Sequence, residues 1–507
     1  MHIKFIHSHY ESLGIEYLSS VLKEAGHKTS LAFEPALFHN FFANNSFLYK
    51  ISNFKNYILE SVEKDNPDIV AFSVISDNYN WSLDIARQIK RKLNTTIVFG
   101  GIHPTSVPKY VLRDGIADYV IVGEGEEAFL NLVNALEGNK TVSNIPNIGV
   151  YNNGKSYVND VRPPIQNIDD LPFPDKDLFF NDYHGLVDSS YAIMGSRGCN
   201  NRCSYCWNST IDRLHRGGVY FRRRSPENLI AELKWAKKRY NITKVTFYDE
   251  VFTSSKQWLN DFLLLYQEEI RLPFFCCIHP SDVDAEITSL LSKAGCKAVN
   301  VGVQTANEEL RKSVLQRKGS NEEIIRALQL LGDTNIFVYS NIILGLPGES
   351  EDDLISTLKF CNTYKADIPA IYWLRYYPQT KIVEIAKNMG LLTSDDVEKI
   401  NSGREYFPYA ILGNTYRKDA AKIGNLILVS GIISSSVMNY IIAHRLYRRI
   451  TSKNLLFPAI LVIVWFKRVI KSKSYALHYL DLWDYIKLYL FYISKKIRYK
   501  LCLFGKK

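Results

Sequence analysis

Short apolar runs, several of them rich in β-branched residues, alternate along the first part of the chain with stretches whose apolar positions recur every three or four residues. HIKFIH precedes GIEYLSSVLKEAG, DIVAFSVIS precedes WSLDIARQIKRKL, and TTIVFGG and ADYVIVG precede EGEEAFLNLVNAL. Period-two and period-3.6 segments in this order predict an α/β unit built on an open, mostly parallel sheet over residues 1–140. Residues 141–188 include NDVRPPIQNIDDLPFPDKDLF, rich in Pro, Asp and Asn, and are expected to be a linker. A second alternation fills residues 189–390, with YAIMGS, KVTFYDE, FFCCIH, AVNVGVQ and IFVYSNIILG as strands between amphipathic helices. About six such units predict a partial (β/α)6 barrel, whose chemistry belongs at the C-terminal ends of its strands.

From 391 to 507 the pattern turns helical, aromatic and basic. Its longest apolar run, Leu455 to Phe466, is shorter than the ~18–20 residues that cross a bilayer and contains Pro458. Two readings fit this C-terminal region: helices lying on an anionic membrane surface, or a buried helical subdomain with a solvated basic face.

Composition narrows the class. A chain of 507 residues with 46% hydrophobic and 13% aromatic content is a folded protein of several domains. The net charge of +10 is concentrated at the end: Ile441 to Lys507 holds fifteen Lys or Arg against Asp481 and Asp484, leaving −3 on the rest. The main body therefore offers no basic face for nucleic acid. The start, MHIKFIHSHYESLG, lacks the charged, apolar and small-residue succession of a secretory leader, and the cysteines lack a disulfide framework. A cytoplasmic, reducing location is expected, with any membrane contact peripheral and through the C-terminal region.

Three of the eight cysteines fall in CNNRCSYCW, at Cys199, Cys203 and Cys206, just after the first strand of the second alternation. Thiolates select zinc, copper(I) or iron-sulfur centres. Zinc needs a fourth ligand, for which His215 is the nearest downstream histidine, and a zinc-bound scaffold would be non-catalytic. A 4Fe-4S cluster held by three thiolates keeps one iron open for chemistry.

The C-x3-C-x2-C run, with Tyr205 before its last cysteine and a βα barrel behind it, resembles the radical S-adenosylmethionine (SAM) superfamily. The resemblance implies that Cys199, Cys203 and Cys206 ligate a 4Fe-4S cluster, that SAM chelates the fourth iron, and that its reductive cleavage gives a 5'-deoxyadenosyl radical. By the same resemblance Tyr205 lies against adenine, while Asp249 and Glu250, beside Tyr248 in TFYDEVF, meet the methionine amino group. Gln304 in VGVQTANEEL stands where a glutamate is usual, which puts in doubt any role needing a negative charge. Ile343 and Gly345 in NIILGLPGESEDD match the adenine strand.

The first domain has neither GxGxxG nor a Walker loop. Its strand ends instead carry Ser73 with Asp77, then GGIHPT with Gly100, Gly101, His103 and Thr105, then GEGEEA with Gly123, Glu124 and Gly125. Ligands of open α/β sheets bind at such ends. FGGIHPTSVPKYVL and DYVIVGEGEEAF closely resemble the Rossmann-like cobalamin-binding module of cobalamin-dependent radical enzymes, and this resemblance implies cobalamin at those residues. No Asp-x-His-x-x-Gly segment occurs, so the lower axial histidine of many cobalamin proteins is missing, and His103 does not replace it by spacing. Methyl transfer to an unactivated carbon is the expected reaction, with oxidation or cyclisation, as in the anaerobic cyclase of chlorophyll synthesis, the alternative. The resemblance also implies a low-potential electron donor such as flavodoxin or ferredoxin. The basic aromatic tail suggests a hydrophobic or lipid-like substrate. Methylthiotransferases that modify transfer RNA carry cysteines in the N-terminal domain, and here none precedes Cys199. No single residue is assigned as the catalytic group.

Overall fold

A computed structural model describes residues 1–35, 55–152, 154–180, 190–214, 219–403 and 414–450, together with 490 and 494. The zinc candidate His215 and the run Leu455 to Phe466 lie outside the described residues.

The N-terminal sheet has seven strands in the order β2-β1-β3-β4-β5-β6-β7. They are β1 (His2–Ser8), β2 (Lys28–Glu34), β3 (Ile69–Ser73), β4 (Thr96–Gly100), β5 (Tyr119–Ile121), β6 (Ile148–Asn152) and β7 (Lys155–Val158). β1 to β5 are parallel. β3, β4 and β5 are apolar at nearly every position because both faces of the sheet are covered by helices: Phe5, Ala71 and Val98 pack to one side, Ile6, Phe72 and Phe99 to the other. β6 and β7 form an antiparallel hairpin on β5. Part of the stretch expected to be a linker therefore extends this sheet. The signal was present in IGVYNNGKSYV, two short alternating runs around Asn-Gly.

The second sheet is wholly parallel and sequential, β8 (Ser190–Ile193), β11 (Lys244–Phe247), β12 (Phe274–Ile278), β13 (Cys296–Gln304), β14 (Phe337–Leu344) and β15 (Ile368–Trp373). A two-stranded ribbon, β9 (Ser196–Arg197) with β10 (Arg222–Arg223), sits over the end of β8. This is the expected open barrel sheet. β15 contains Pro369, which an edge strand tolerates. Inside the barrel, Phe275, Ala298, Phe337 and Tyr339 form an apolar floor.

The helix Asn414–Val429 packs on the helix Glu351–Thr363 and on β15, closing over that edge of the barrel. Ala420, Ile423, Leu426 and Ile427 join the barrel core. Gly424 permits the approach: a Cβ there would stand 2.9 Å from Leu344 Cδ1. The helix Asn414–Val429 is thus part of the barrel's packing, whereas most residues of 434–449 are exposed. Among the described residues, no helix is long and apolar enough to cross a membrane.

Candidate functional site

β9 leads into the cysteine loop through Gly198, whose φ is +84°, and a Cβ there would collide with Tyr220 O at 2.5 Å. Cys199 and Cys206 are partly exposed and Cys203 is buried, and all three are free thiols. Burial, with the nearby Glu250 carboxylate, pushes the Cys206 thiol up to about 12. Burial also raises Cys199, with Glu250 and Cys203 adding to it. Among the described residues, no three His, Cys, Asp or Glu side chains converge as for a single ion. Three thiols in one loop are one donor short of the four that close a structural zinc site, and a polynuclear centre held by three sulfurs keeps one iron open. The donor set fits an iron-sulfur cluster.

Around the loop, Arg317 Nη1 lies 3.8 Å from Cys203 Sγ, and its Nη2 donates to Gly302 O at 3.2 Å. Asn208 Nδ2 reaches Cys206 Sγ at 3.8 Å, while Asn208 Oδ1 accepts from Tyr220 OH at 2.6 Å. Glu250 keeps solvent contact yet sits in an enclosing cleft, and burial there raises its carboxyl against a bond from Asn208.

Asp249 is placed differently from Glu250. It is buried, accepting from Gly195 N (2.9 Å) and from Ser196 Oγ (2.5 Å). Both its oxygens brace the turn that delivers the cysteine loop, so its carboxylate faces that turn. Gly345, with φ +82°, has its N–H taken by Glu349 Oε2 at 2.7 Å. Ile343 and Tyr205 share one apolar cluster with Leu315, Leu346 and Leu374. The two predicted adenine contacts are thus brought together.

Gln304 ends β13 at a register shift against β14 and holds φ +68°, a left-handed conformation unusual for a glutamine. Its Oε1 is buried without a hydrogen-bond partner, as are Asn341 Oδ1 on β14 and His279 Nε2 after β12. His279 Nδ1 accepts from Ser281 N at 3.3 Å, which leaves the proton on Nε2. Burial, then Arg317 and Lys318, lowers its pKa to about 3, so the ring is neutral. Unmet acceptors and donors at one barrel mouth, next to a strained residue, fit a polar ligand such as SAM. Sequence reasoning missed His279, Arg317 and Asn341. For His279 the signal was its place directly after β12, where His also occurs as an ordinary turn residue; Asn341 lies within β14 and Arg317 in the segment after β13, and neither carried one.

On the N-terminal sheet, Gly101 (φ +101°) lets β4 turn against β3, since a Cβ would meet Val74 N and O at 2.8 Å. Val74 N donates to Gly100 O and His103 N to Val74 O. Ser73 ends β3 beside this crossing. Thr105 Oγ1 accepts from Gly123 N at 3.0 Å, joining the second loop to the third. These glycines let the strand-end loops pack backbone to backbone, which sets a backbone-rich shelf at the C-terminal edge of the sheet, the edge where ligands of open α/β sheets bind. Gly125 opens the helix Glu126–Glu137 close to Leu18, where a Cβ would stand 3.1 Å from Leu18 Cδ2.

Two predicted residues on this shelf are engaged elsewhere. Glu124 is held by Arg222 (2.8 Å), Arg197 (3.4 Å) and Ile165 N (2.7 Å). It clamps the sheet to the barrel, and these cations hold its carboxyl below the usual range despite burial. His103 is fully buried, bonded through Nδ1 to Ser76 Oγ (2.9 Å), with its ring centre 4.2 Å from that of Tyr79 at a tilt of 32°. Burial lowers its pKa to about 4. Gly403 covers both rings, 3.4 Å from His103 Cε1 as judged by the Cβ it lacks.

The two sheets meet edge to edge. Trp207 Nε1, next to Cys206, donates to Ser106 Oγ at 2.5 Å at the end of the short helix Ile102–Ser106. Arg375 Nη1 bonds Asp77 Oδ1 at 2.9 Å, and Asn80 Nδ2 bonds Gly403 O at 2.9 Å. The cysteine loop and the glycine shelf therefore border one cleft.

Comparisons with known proteins agree with this layout. A B12 binding domain model matches residues 6–133 and the radical SAM superfamily model matches residues 193–361. An uncharacterized methyltransferase of Pyrococcus horikoshii is 27% identical over 66% of this chain and 72% of its own. The anaerobic magnesium-protoporphyrin IX monomethyl ester cyclase of Rubrivivax gelatinosus is 26% identical over 75% of this chain and 68% of its own. Among solved structures, the radical SAM methyltransferase TsrM of Kitasatospora setae shares the fold with a TM-score of 0.61, at 17% identity and covering 76% of each chain. The cobalamin-dependent SAM radical enzyme OxsB aligns over 96% of this chain and 84% of its own with a TM-score of 0.64 at 14% identity. With both domain models falling in order on the two sheets that border the cleft, the chain belongs to the B12-binding radical SAM enzymes, whose typical cofactors are a 4Fe-4S cluster, SAM and cobalamin.

Proposed function

We propose that this enzyme transfers a methyl group to an unactivated carbon of a hydrophobic, lipid-like substrate. The observation that carries the reading is the Trp207–Ser106 bond, which sets the cysteine loop and the glycine shelf on one cleft. When bound, the cofactors supply hydrogen abstraction on one side of that cleft and methyl donation on the other.

In this reading Cys199, Cys203 and Cys206 hold the cluster, and Tyr205 and Ile343 pack on adenine. Gln304 Oε1 and Asn341 Oδ1 accept from SAM's hydroxyl or amino groups, and Glu250 faces the amino group. Asp249 acts through the turn it braces. Gly100, Gly101, Thr105 and Gly123 shape the cobalamin shelf.

The hydrophobic substrate is supported by the helix Ser435–Ala443, which exposes Val437 and Tyr440 beside Arg445 and Arg449. An anionic membrane surface suits that pairing. A low-potential donor such as flavodoxin or ferredoxin supplies electrons, and no nucleic acid takes part.

The test is anaerobic reconstitution with iron, sulfide and a corrinoid, followed by reduction in the presence of a lipid extract. Both 5'-deoxyadenosine and S-adenosylhomocysteine are expected. 5'-Deoxyadenosine alone favours the second reading, oxidation or cyclisation, which the likeness to the magnesium-protoporphyrin cyclase supports. Membrane contact is tested by liposome flotation of a Val437→Ser, Tyr440→Ser variant and of a chain cut after Ile450, because a cut after Asn401 would remove the helix that closes the barrel. Flotation of both equal to that of the unaltered full chain counts against membrane contact.

A further inference from the structure

Arg317 is a part-buried guanidinium at the cysteine loop with no carboxylate partner among the described residues. Its hydrogen bonds go to Cys203 Sγ at 3.8 Å and Gly302 O at 3.2 Å. An arginine stays charged at any physiological pH, and a charge withdrawn from water is costly unless an opposite charge answers it. β13 leaves room for it: a Cβ on Gly302 would stand 2.6 Å from Arg317 Nη2. The groups around it are Tyr205, Cys199 and Cys203 on the loop, the neutral His279 and Asp282 after β12, and Arg311 and Lys318 on its own segment. Two of these neighbours are cations and only Asp282 is a carboxylate, too far for an ion pair with Arg317, so the thiolates are the anions it touches directly.

We infer that Arg317 is the counter-charge of the cysteine-held cluster and raises its reduction potential by donating to the Cys203 sulfur. The inference rests on the reading of Cys199, Cys203 and Cys206 as cluster ligands. One-electron reduction adds a negative charge to the cluster, and a fixed cation beside a ligating sulfur stabilises the reduced form more than the oxidised one. Arg317 is thus a positioning residue for the electron and not a group that reacts.

The test uses full-length protein reconstituted with iron and sulfide, without SAM, and titrated against potential by electron paramagnetic resonance. Iron content and circular dichroism are checked first. Arg317→Met is expected to keep the cluster and shift the reduction equilibrium at least tenfold toward the oxidised form, about 59 mV for one electron. Arg317→Lys, which keeps a charge, should shift less. Gly302→Ala, which pushes the guanidinium off β13 without removing it, should shift the potential in the same direction as Arg317→Met; it serves if the methionine variant fails to assemble a cluster. A potential unchanged in both Arg317→Met and Gly302→Ala overturns the inference, and so does a loss confined to SAM affinity in equilibrium dialysis. Failure of the cluster reading itself is distinct: the wild-type protein would then hold no iron-sulfur signal to titrate.

Discussion

The two sheets bring their C-terminal edges to one cleft, and they equip those edges in opposite ways. On the N-terminal sheet the polar side chains are mostly engaged: Thr105 bonds Gly123, Glu124 bonds Arg222, Asp77 bonds Arg375, and His103 bonds Ser76 with its Nε2 buried and unmet. The loops that carry them are glycine-rich. On the barrel edge, Gln304 Oε1, Asn341 Oδ1 and His279 Nε2 are left unmet, beside three free cysteines and an arginine that meets no carboxylate among the described residues. One edge offers shape and the other offers chemistry. Substitutions should therefore separate: barrel-edge changes remove a cofactor or a step while sparing the fold, and shelf changes lower stability or corrin binding while sparing the cluster.

The largest effect is expected at the loop. Cys203→Ala should remove nearly all cluster iron and bring 5'-deoxyadenosine formation to background, with corrin binding by absorbance titration unchanged. Retained 5'-deoxyadenosine formation in iron-free protein would sink the assignment.

Gly101→Ala tests the other edge. The backbone clash at 2.8 Å and a φ of +101° admit no side chain without movement. A loss of about 2–3 kcal/mol in urea unfolding is expected, with corrinoid affinity reduced and iron content at the wild-type level. Equal loss of iron and corrinoid would erase the distinction between the edges. Glu124→Gln should cost a comparable amount, about 3 kcal/mol, by leaving Arg222 buried against a neutral amide. Because the folded-state pKa of Glu124 is depressed, its contribution is present above the unfolded value and fades as pH falls through the folded one.

Much of this arrangement was legible in the sequence. Strand and helix periods located both sheets, since two-sided burial forces apolar runs such as IVAFS and TIVFG. The cysteine spacing announced an open-sited cluster. β2, β7 and β15 were less visible: β2 and β15 are edge strands, β15 carries Pro369, and the hairpin of β6 and β7 lay in polar sequence. The roles of Asp249 and Glu124 differ from expectation for one reason. A carboxylate at a strand end can face the cleft or the neighbouring backbone, and only the positions of Gly195, Ser196 and Arg222 decide which. Arg317 was invisible because its partners are distant along the chain, on β13 and in the cysteine loop.

Acid should act on the shelf through His103. Its folded pKa of about 4 lies below the ordinary 6.5, so the unfolded chain binds the proton first. The share of stability held by His103 then falls as pH drops below about 6.5 and levels near pH 4, at about 3 kcal/mol, beside the shares of His7 and His279, whose pKa values are also lowered by burial. His103→Asn should flatten that limb of the stability profile relative to wild type. A parallel acid limb in both proteins would show that His103 takes up its proton while folded.

The smallest effect separates strain from recognition at Gln304. Its φ of +68° costs on the order of 1 kcal/mol for a non-glycine residue, and its unmet Oε1 is the feature proposed to meet SAM. Gln304→Gly removes both strain and amide, whereas Gln304→Ala removes the amide and keeps the strain. Both variants should lose SAM affinity about tenfold, the value of one good hydrogen bond to a buried acceptor. The strain in the alanine, on the order of 1 kcal/mol, should offset its entropic advantage over glycine of about 0.4–1 kcal/mol, leaving the two variants about equally stable in urea unfolding. If alanine proves the more stable by about 0.4–1 kcal/mol, the register shift at the end of β13 holds no strain. The barrel edge would then owe its unmet groups to burial alone.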